Sequence, residues 1–417
     1  MKIKSNYQIL IIGGGTAGIM VAAQIKRQKS NATIAIIEPS TKHYYQAAFT
    51  LVGAGTYNLE DTIRNKATLI PKGVDWIKDK AIQISPNENE VETENNGIIK
   101  YEYLVLAPGL VYNFSLIEGL KEALDKGVAC SNYIDPEFTW KSLQNFKGGN
   151  AVFTQPSTPI KCGGAPQKAM YLSADYLRKK GLLSKTNLMF ATPGSVIFGV
   201  KIIADTLMKV VLRYNANLKL NYNPVKIDAD KKIIYFKNNT PADKSESGRA
   251  IAGATIGVDG LVAVPFDFLH LAPPQSTPEF VKSLCNEAGW LDVNINSLQH
   301  NKYKNIFGLG DVAALPTAKT GAAIRKQAPV VVDNLMKLLS NKTADNADYQ
   351  GYSSCPLVTG YGKMVLAEFN YKNEFTPDPK LKQMLITDSS KEHWRLWILK
   401  KYMLPHLYWT KMMKGKM

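Results

Sequence analysis

Short apolar runs, glycine turns and helix-like stretches follow one another from the start of the chain. Residues 8–12 (QILII) lead into GGGTAG, then a helical stretch over 19–26, then NATIAIIEP, a second apolar run that ends at Glu38. An unbroken apolar run of this length reads as a strand buried on both faces, as at the centre of a parallel sheet. A third run, YEYLVLAPG (101–109), closes on Ala107-Pro108-Gly109, and a fourth, Ile306-Phe307, enters Gly308, Gly310 and Asp311. Strand patterns recur at 151–154 and in NLMFATPGSVIFG (187–199), with a helix expected from about 166 to 179. Alternation of strand and helix predicts an α/β fold built from two Rossmann-like units. The expected division is 1–120 and 290–345 for the first unit, 121–289 for the second and 346–417 for a C-terminal region. Residues 241–260 (PADKSESGRAIAGATIGVDG) read as a polar, glycine-rich surface loop or hairpin.

The first turn carries chemistry. Gly13, Gly15 and Gly18 have the G-x-G-x-x-G spacing, and Glu38 lies 20 residues beyond Gly18. Such glycines permit a tight turn and close approach of a pyrophosphate to a helix N-terminus, while the acid can accept ribose hydroxyls. Strand, glycines, helix, strand and acid in register make a strong dinucleotide signature. The turn at Ala107 and Gly109 and the Gly310-Asp311 pair match the two further turns of two-dinucleotide-domain flavoproteins, so the cofactor expected is FAD. Asp311 would bond the ribityl chain, and a helix starting near Ala318, with Lys319, would face the flavin pyrimidine. No metal is expected.

The second unit lacks a second fingerprint. Pro156 and Pro159 stand where a glycine turn would bind a nicotinamide nucleotide, so the electrons should come from another donor. In the same loop Cys162 sits between Lys161 and Gly163, just before the expected helix, where a thiol should have a lowered pKa and be reactive. Cys130, Cys285 and Cys355 are scattered without a CxxC pair, which excludes a zinc site and a disulfide framework and makes a reducing compartment the default.

Composition is globular, with 45% hydrophobic and 21% charged residues, but the net charge is +16. Such a charge calls for a polyanion or an anionic membrane surface. Gly13 arrives too early for a signal-peptide core, and no run approaches a membrane span. The tail explains part of the charge: KEHWRLWILKKYMLPHLYWTKMMKGKM (391–417) holds seven basic residues against one Glu, three Trp and two Tyr. Trp394, Trp397, Tyr402, Leu407, Tyr408 and Trp409 in two short helices broken at Pro405 suit a membrane interface that is not spanned. No nucleic-acid motif accompanies the charge.

HYYQAAFTLVGAG (43–55), PIKCGGAPQKAMYLSADY (159–176), AGWLDV (288–293), FGLGDVAALPTAKTGAA (307–323) and YSSCPLVTGYGKMVLAEFNY (352–371) resemble sulfide:quinone oxidoreductases, chiefly the type II subgroup with the mitochondrial enzymes. The resemblance covers nearly the whole chain. It implies a peripheral membrane FAD enzyme passing two electrons from sulfide, or a small sulfur compound, to a membrane quinone. The place implied is the cytoplasmic face of a bacterial membrane, or an organelle's inner membrane if a presequence has been removed. In that family a cysteine pair oxidises sulfide. Cys162 matches one member, and the other is expected after the aspartate of the second flavin motif, where this chain has Val312. The pair is then incomplete, which implies slow or altered sulfide turnover. On this reading Cys355 is structural, Cys285 incidental, and Cys130 a candidate second thiol. An NAD(P)H:quinone reductase and a catalytically silent membrane sensor or scaffold are the alternatives, and a homo-oligomer stays open.

Overall fold

A computed structural model describes residues 4–28 and 31–417. The first apolar run, Asn6–Ile12, is the centre of a seven-stranded sheet. Ile34–Ile37 and Gly97–Leu106 flank it in parallel, and Val74–Ile77 lies outside Ile34–Ile37. Gly97–Leu106 serves two partners on its other side. Its beginning pairs antiparallel with Glu90–Thr93 and its last three residues pair parallel with Ile306–Gly308, so a late segment returns to the first sheet. Ile12 lies opposite both Ile37 and Leu106, and Leu106 opposite Gly308. The four strands therefore end level, and Gly13, Glu38, Ala107 and Gly310 emerge along one carboxyl edge, the place where α/β sheets bind ligands.

Both faces of this sheet are covered, which is why its strands are apolar throughout. Ile9 and Ile11 pack with Ile19, Ala22, Ile324 and Val331 from the helices Thr16–Gln28 and Gly321–Leu338. On the opposite face Leu10, Ile12 and Leu106 pack with Val281, Leu284, Leu291 and Val312. The second helix begins at Gly321, with the Thr320 hydroxyl capping Ala323 N–H, rather than near Ala318. Residues before it are held by a bridge between Lys319 and Lys161.

The second unit is a four-stranded parallel sheet ordered Asn217–Leu220, Thr186–Thr192, Gly149–Thr154, Phe268–Leu271. One face is covered by the helices Ala165–Lys179 and Lys201–Arg213 and by a hairpin, Ser353–Gly360 with Lys363–Phe369. The other face meets an antiparallel sheet of Tyr222–Asp228, Ile233–Asn238, Val262–Pro265 and Thr255–Ile256. The polar stretch 241–260 is largely exposed and contributes only that last short strand.

The tail is one winding helical segment rather than two helices broken at Pro405. Trp394–Ile398 passes through a π turn at Leu399–Met403 into Leu404–Thr410, then a 3-10 turn at Met412–Lys414. Among the described residues no helix is long and apolar enough to cross a membrane.

Candidate active site

The glycine turn is shaped by contact. A Cβ on Gly13 would lie 2.3 Å from the Ala107 carbonyl oxygen, and one on Gly18 would lie 2.0 Å from the Gly13 oxygen. Gly15 and Gly109, by contrast, face open space. Gly13 and Gly18 thus fold the turn tightly, while Gly15 leaves the approach to the helix N-terminus clear. Glu38 reaches back over the turn: one carboxylate oxygen accepts Gly14 N–H at 2.8 Å, the other Ser40 N–H at 2.8 Å and the Lys66 ammonium at 3.0 Å. At the second turn Gly310 has φ 77°, a conformation natural to glycine, and its N–H donates to Gln327 Oε1. The Asp311 carboxylate receives no hydrogen bond among the described residues, and burial raises its pKa against the pull of Lys319 and Lys161. Burial lowers Lys319 to about 8; its ammonium bonds the Ala313 carbonyl at 2.9 Å and lies 4.0 Å over the Trp290 ring. An open glycine cradle at one strand end and a partnerless carboxylate at another fit a pyrophosphate and a polyol, the two polar parts of FAD.

Beside this edge stands a pair of thiols. Cys162 lies at the start of the Ala165–Lys179 helix, its carbonyl accepting Ala165 N–H at 2.7 Å. Its N–H bonds the Lys319 carbonyl at 2.6 Å, tying the thiol loop to the Asp311 segment. Cys162 has φ 54°, a strained backbone for a residue with a Cβ, costing of order 1–3 kcal/mol. The hairpin strand Ser353–Gly360 passes across the helix start and places the Cys355 thiol in hydrogen-bonding contact with Cys162. Gly164 makes room for it, since a Cβ there would lie 2.6 Å from Cys355 Sγ. Lys168, one helical turn on, donates to Cys162 Sγ at 3.0 Å.

The hydrogen bond from Cys355 and the Lys168 charge, against the cost of burial, hold the Cys162 thiol well below its usual pKa. The same hydrogen bond together with burial pushes Cys355 well above it. The pair is thereby polarised, with the negative charge favoured on Cys162 and the proton on Cys355. Burial disfavours the Lys168 cation, but the adjacent sulfurs outweigh it and raise its pKa. A second buried ammonium, Lys400 from the tail, donates to the Ala47 carbonyl at 2.6 Å; burial and then the charge of Lys168 lower its pKa to about 7.

The geometry changes two expectations about cysteines. Cys130 is not placed as a reactive thiol: it is buried in the second unit, donates to the Leu269 carbonyl at 3.4 Å, and burial pushes its pKa up to about 12. The Val312 side chain is fully buried against Leu291 and the first sheet. Cys355, read as structural, is the residue beside Cys162. Cys285 is half-buried in its own turn and donates to the Val281 carbonyl. Lys168, Cys355 and Lys400 escaped the sequence reading. The signal for Lys168 was a lysine directly before the apolar run AMYL (169–172) of its helix, whose neighbours Gln167 and Ala169 are also buried.

The tail residues divide between two faces. Trp394 and Tyr402 are exposed, with Ile398 and Met403 beside them. Leu407 and Trp409 are half-buried. Trp397 and Tyr408 turn inward, contrary to a membrane-facing role: Trp397 packs with Leu51, Leu366 and Leu396. The Tyr408 hydroxyl bonds His43 Nε2 at 2.6 Å and Thr16 Oγ1 at 2.7 Å, at the first residue of the glycine-turn helix. Burial and the nearby Lys66 lower His43 to about 4, so it is neutral in this contact.

Level strand ends, an open glycine cradle and an aspartate on the returning strand define a FAD flavoprotein with two Rossmann-like units. Residues 7–135 match the pyridine nucleotide-disulphide oxidoreductase family model. The mitochondrial sulfide:quinone oxidoreductase of Mus musculus is 40% identical over 416 residues, covering 99% of this chain and 87% of that protein. That of Dictyostelium discoideum is 39% identical over 422 residues, covering 100% and 88%. The crystal structure of the sulfide:quinone oxidoreductase from Aquifex aeolicus superposes with a TM-score of 0.77 at 21% identity, over 99% of this chain and 92% of that one, a likeness of fold. The chain belongs to the sulfide:quinone oxidoreductase family, whose members are FAD-dependent enzymes.

Proposed function

We propose that this protein oxidises sulfide at the Cys162–Cys355 pair and delivers two electrons through FAD to a quinone drawn from a membrane. The observation that carries the reading is the contact of the two thiols beneath Lys168, next to the Asp311 turn. In the oxidised enzyme the two sulfurs form a disulfide. Hydrosulfide attacks the Cys355 sulfur, the S–S bond breaks, and its electron pair leaves on Cys162. The lower-pKa thiol is the better leaving group, and Lys168 neutralises the charge it acquires. Cys355 is left as a persulfide. FAD, when bound, supplies the two-electron acceptor for the Cys162 thiolate. Transfer of the outer persulfide sulfur to a nucleophilic acceptor then frees Cys355 to close on Cys162 again. Holding both thiols in one site makes the closing of Cys355 on Cys162 intramolecular, which is worth several kcal/mol of barrier.

Gly13, Gly15, Gly18, Glu38, Ala107, Gly109, Gly310, Asp311 and Lys319 are proposed to hold the cofactor, and the exposed tail residues Trp394 and Tyr402 to rest in the membrane interface beside the quinone. The family's mitochondrial members support a peripheral position on an organelle membrane; in a bacterium the corresponding place would be the cytoplasmic face of the inner membrane. The test is an anaerobic sulfide titration followed by flavin absorbance, with short-chain quinone added afterwards. Wild-type protein should bleach and recover its colour with quinone. Cys162→Ser and Cys355→Ser should each lower the rate of bleaching at least about a thousandfold. Val312→Cys should bleach no faster than wild type. Bleaching undiminished in Cys355→Ser would remove the pair from the mechanism.

A further inference from the structure

A cavity of about 670 Å³ lies between the 56–64 segment and the tail, lined among others by Tyr57, Asp61, Arg64, Lys401, His406 and Trp409. Two of its lining residues, Arg64 and Lys401, are cations. Arg64 Nη1 donates to the Ile63 carbonyl at 2.7 Å and the Asp61 carbonyl at 3.3 Å, and the guanidinium lies 4.9 Å from the centre of the Trp409 ring. That posture leaves its Nε and Nη2 without a hydrogen bond among the described residues. Lys401 lies 5.3 Å from the Tyr402 ring and has no ion pair among the described residues. Against two cations stands one carboxylate, Asp61, which already accepts from Asn58 Nδ2 at 3.1 Å. The charged groups of the cavity are thus two cations against one carboxylate already engaged, and a phosphate offers only acceptors; the guanidinium over the Trp409 indole presents it a fork.

Exposed apolar residues of the same tail, running on from Tyr402, name the rest of the ligand. Trp394, Ile398 and Tyr402, spaced four apart, are exposed at 58%, 39% and 57%, with Met403 at 42%. A water-soluble phosphate needs no such apolar margin. We propose that this cavity seats the headgroup phosphate of an anionic phospholipid, with Arg64 and Lys401 gripping it and the acyl chains lying along Tyr402 and Met403. The proposal rests on the membrane position argued above and gives it a specific lipid contact. Bulk electrostatics would reward any cation near an anionic leaflet about fivefold; a built site rewards the geometry of Arg64 as well.

Calorimetric titration of the full holoprotein with dihexanoylphosphatidylglycerol below its micelle concentration tests the site. Vesicle flotation, run in parallel, tests the membrane position. The monomeric lipid should bind saturably at one per chain, with dihexanoylphosphatidylcholine and inorganic phosphate each at least tenfold weaker. Arg64→Gln should weaken it about tenfold, and Arg64→Lys should recover only part of that loss, with circular dichroism of both variants unchanged. Flotation with phosphatidylglycerol vesicles but no saturable binding of the monomer would overturn the site and leave the membrane position standing. Equal affinity for inorganic phosphate, or full rescue by Arg64→Lys, would also overturn it. Saturable binding without flotation would support the site and sink the membrane position.

Discussion

Replacing Lys400 by methionine should stabilise the protein in acid and lose that advantage in base. The side chain is 2% exposed, and burial lowers its pKa from 10.5 to about 7. A lysine whose folded pKa lies below its unfolded value binds its proton less tightly when folded. Below pH 7 both states are charged and the full penalty applies; it is relieved as the pH rises from 7 towards 10.5. At pH 6 the penalty is about 5 kcal/mol, and at pH 9.5 about 1.4 kcal/mol. The methionine avoids it but leaves the Ala47 carbonyl, 2.6 Å from the ammonium, without its donor, at a cost of about 1–3 kcal/mol. Lys400→Met should therefore gain about 2–4 kcal/mol at pH 6 and be near neutral or slightly destabilised at pH 9.5. Urea denaturation of wild type and variant at both pH values, with excess thiol to keep the cysteines reduced, measures the double difference. A variant destabilised equally at both pH values would refute the reasoning, because it would mean that Lys400 keeps its ordinary pKa in the folded state.

Lys168→Met removes the ammonium 3.0 Å from Cys162 Sγ, so the thiol pKa should move up and flavin reduction by sulfide should slow at least about tenfold at pH 7. The variant should recover rate as pH is raised, and a stopped-flow pH profile parallel to wild type would count against the lysine's role. Gly18→Ala forces a Cβ to within 2.0 Å of the Gly13 carbonyl oxygen, so the turn must open. FAD should be lost on gel filtration, read as a fall in flavin absorbance relative to protein, at a cost of about 1–3 kcal/mol; full retention would show that the turn tolerates the shift.

The first sheet was legible because its signals are local. Apolar runs, glycine spacing and the acid after the second strand all lie within a few dozen residues, and sheet register then aligns turns that are distant in sequence. Helix starts were less legible: nothing in Ala318-Lys319 announces that the backbone there is spent on a bridge to Lys161. The thiol pair was misread for a related reason. Cys162 and Cys355 meet only because a hairpin crosses a helix start, and spacing along the chain carries no trace of that crossing. Motif position pointed to Val312 instead, whose side chain is buried with Leu291 against the first sheet. In the tail, aromatic residues occupy both faces of the helix, so periodicity marks an amphipathic segment without saying which aromatics face out. The π turn at Leu399–Met403 shifts the face again before Tyr408 is reached.

Cys162 and Cys355 lie almost two hundred residues apart in the chain, on separate elements of the fold. On the proposed chemistry each turnover opens and recloses a covalent loop of that size. Such a loop removes about 5 kcal/mol of chain entropy from the unfolded state in the loop-closure account. On that chemistry the resting enzyme would be a stapled molecule, and the staple would be undone whenever sulfide has arrived but the sulfur acceptor has not. A cell supplied with sulfide and starved of acceptor would hold this protein in its least protected form, and proteases would read its lifetime from the balance of its two substrates.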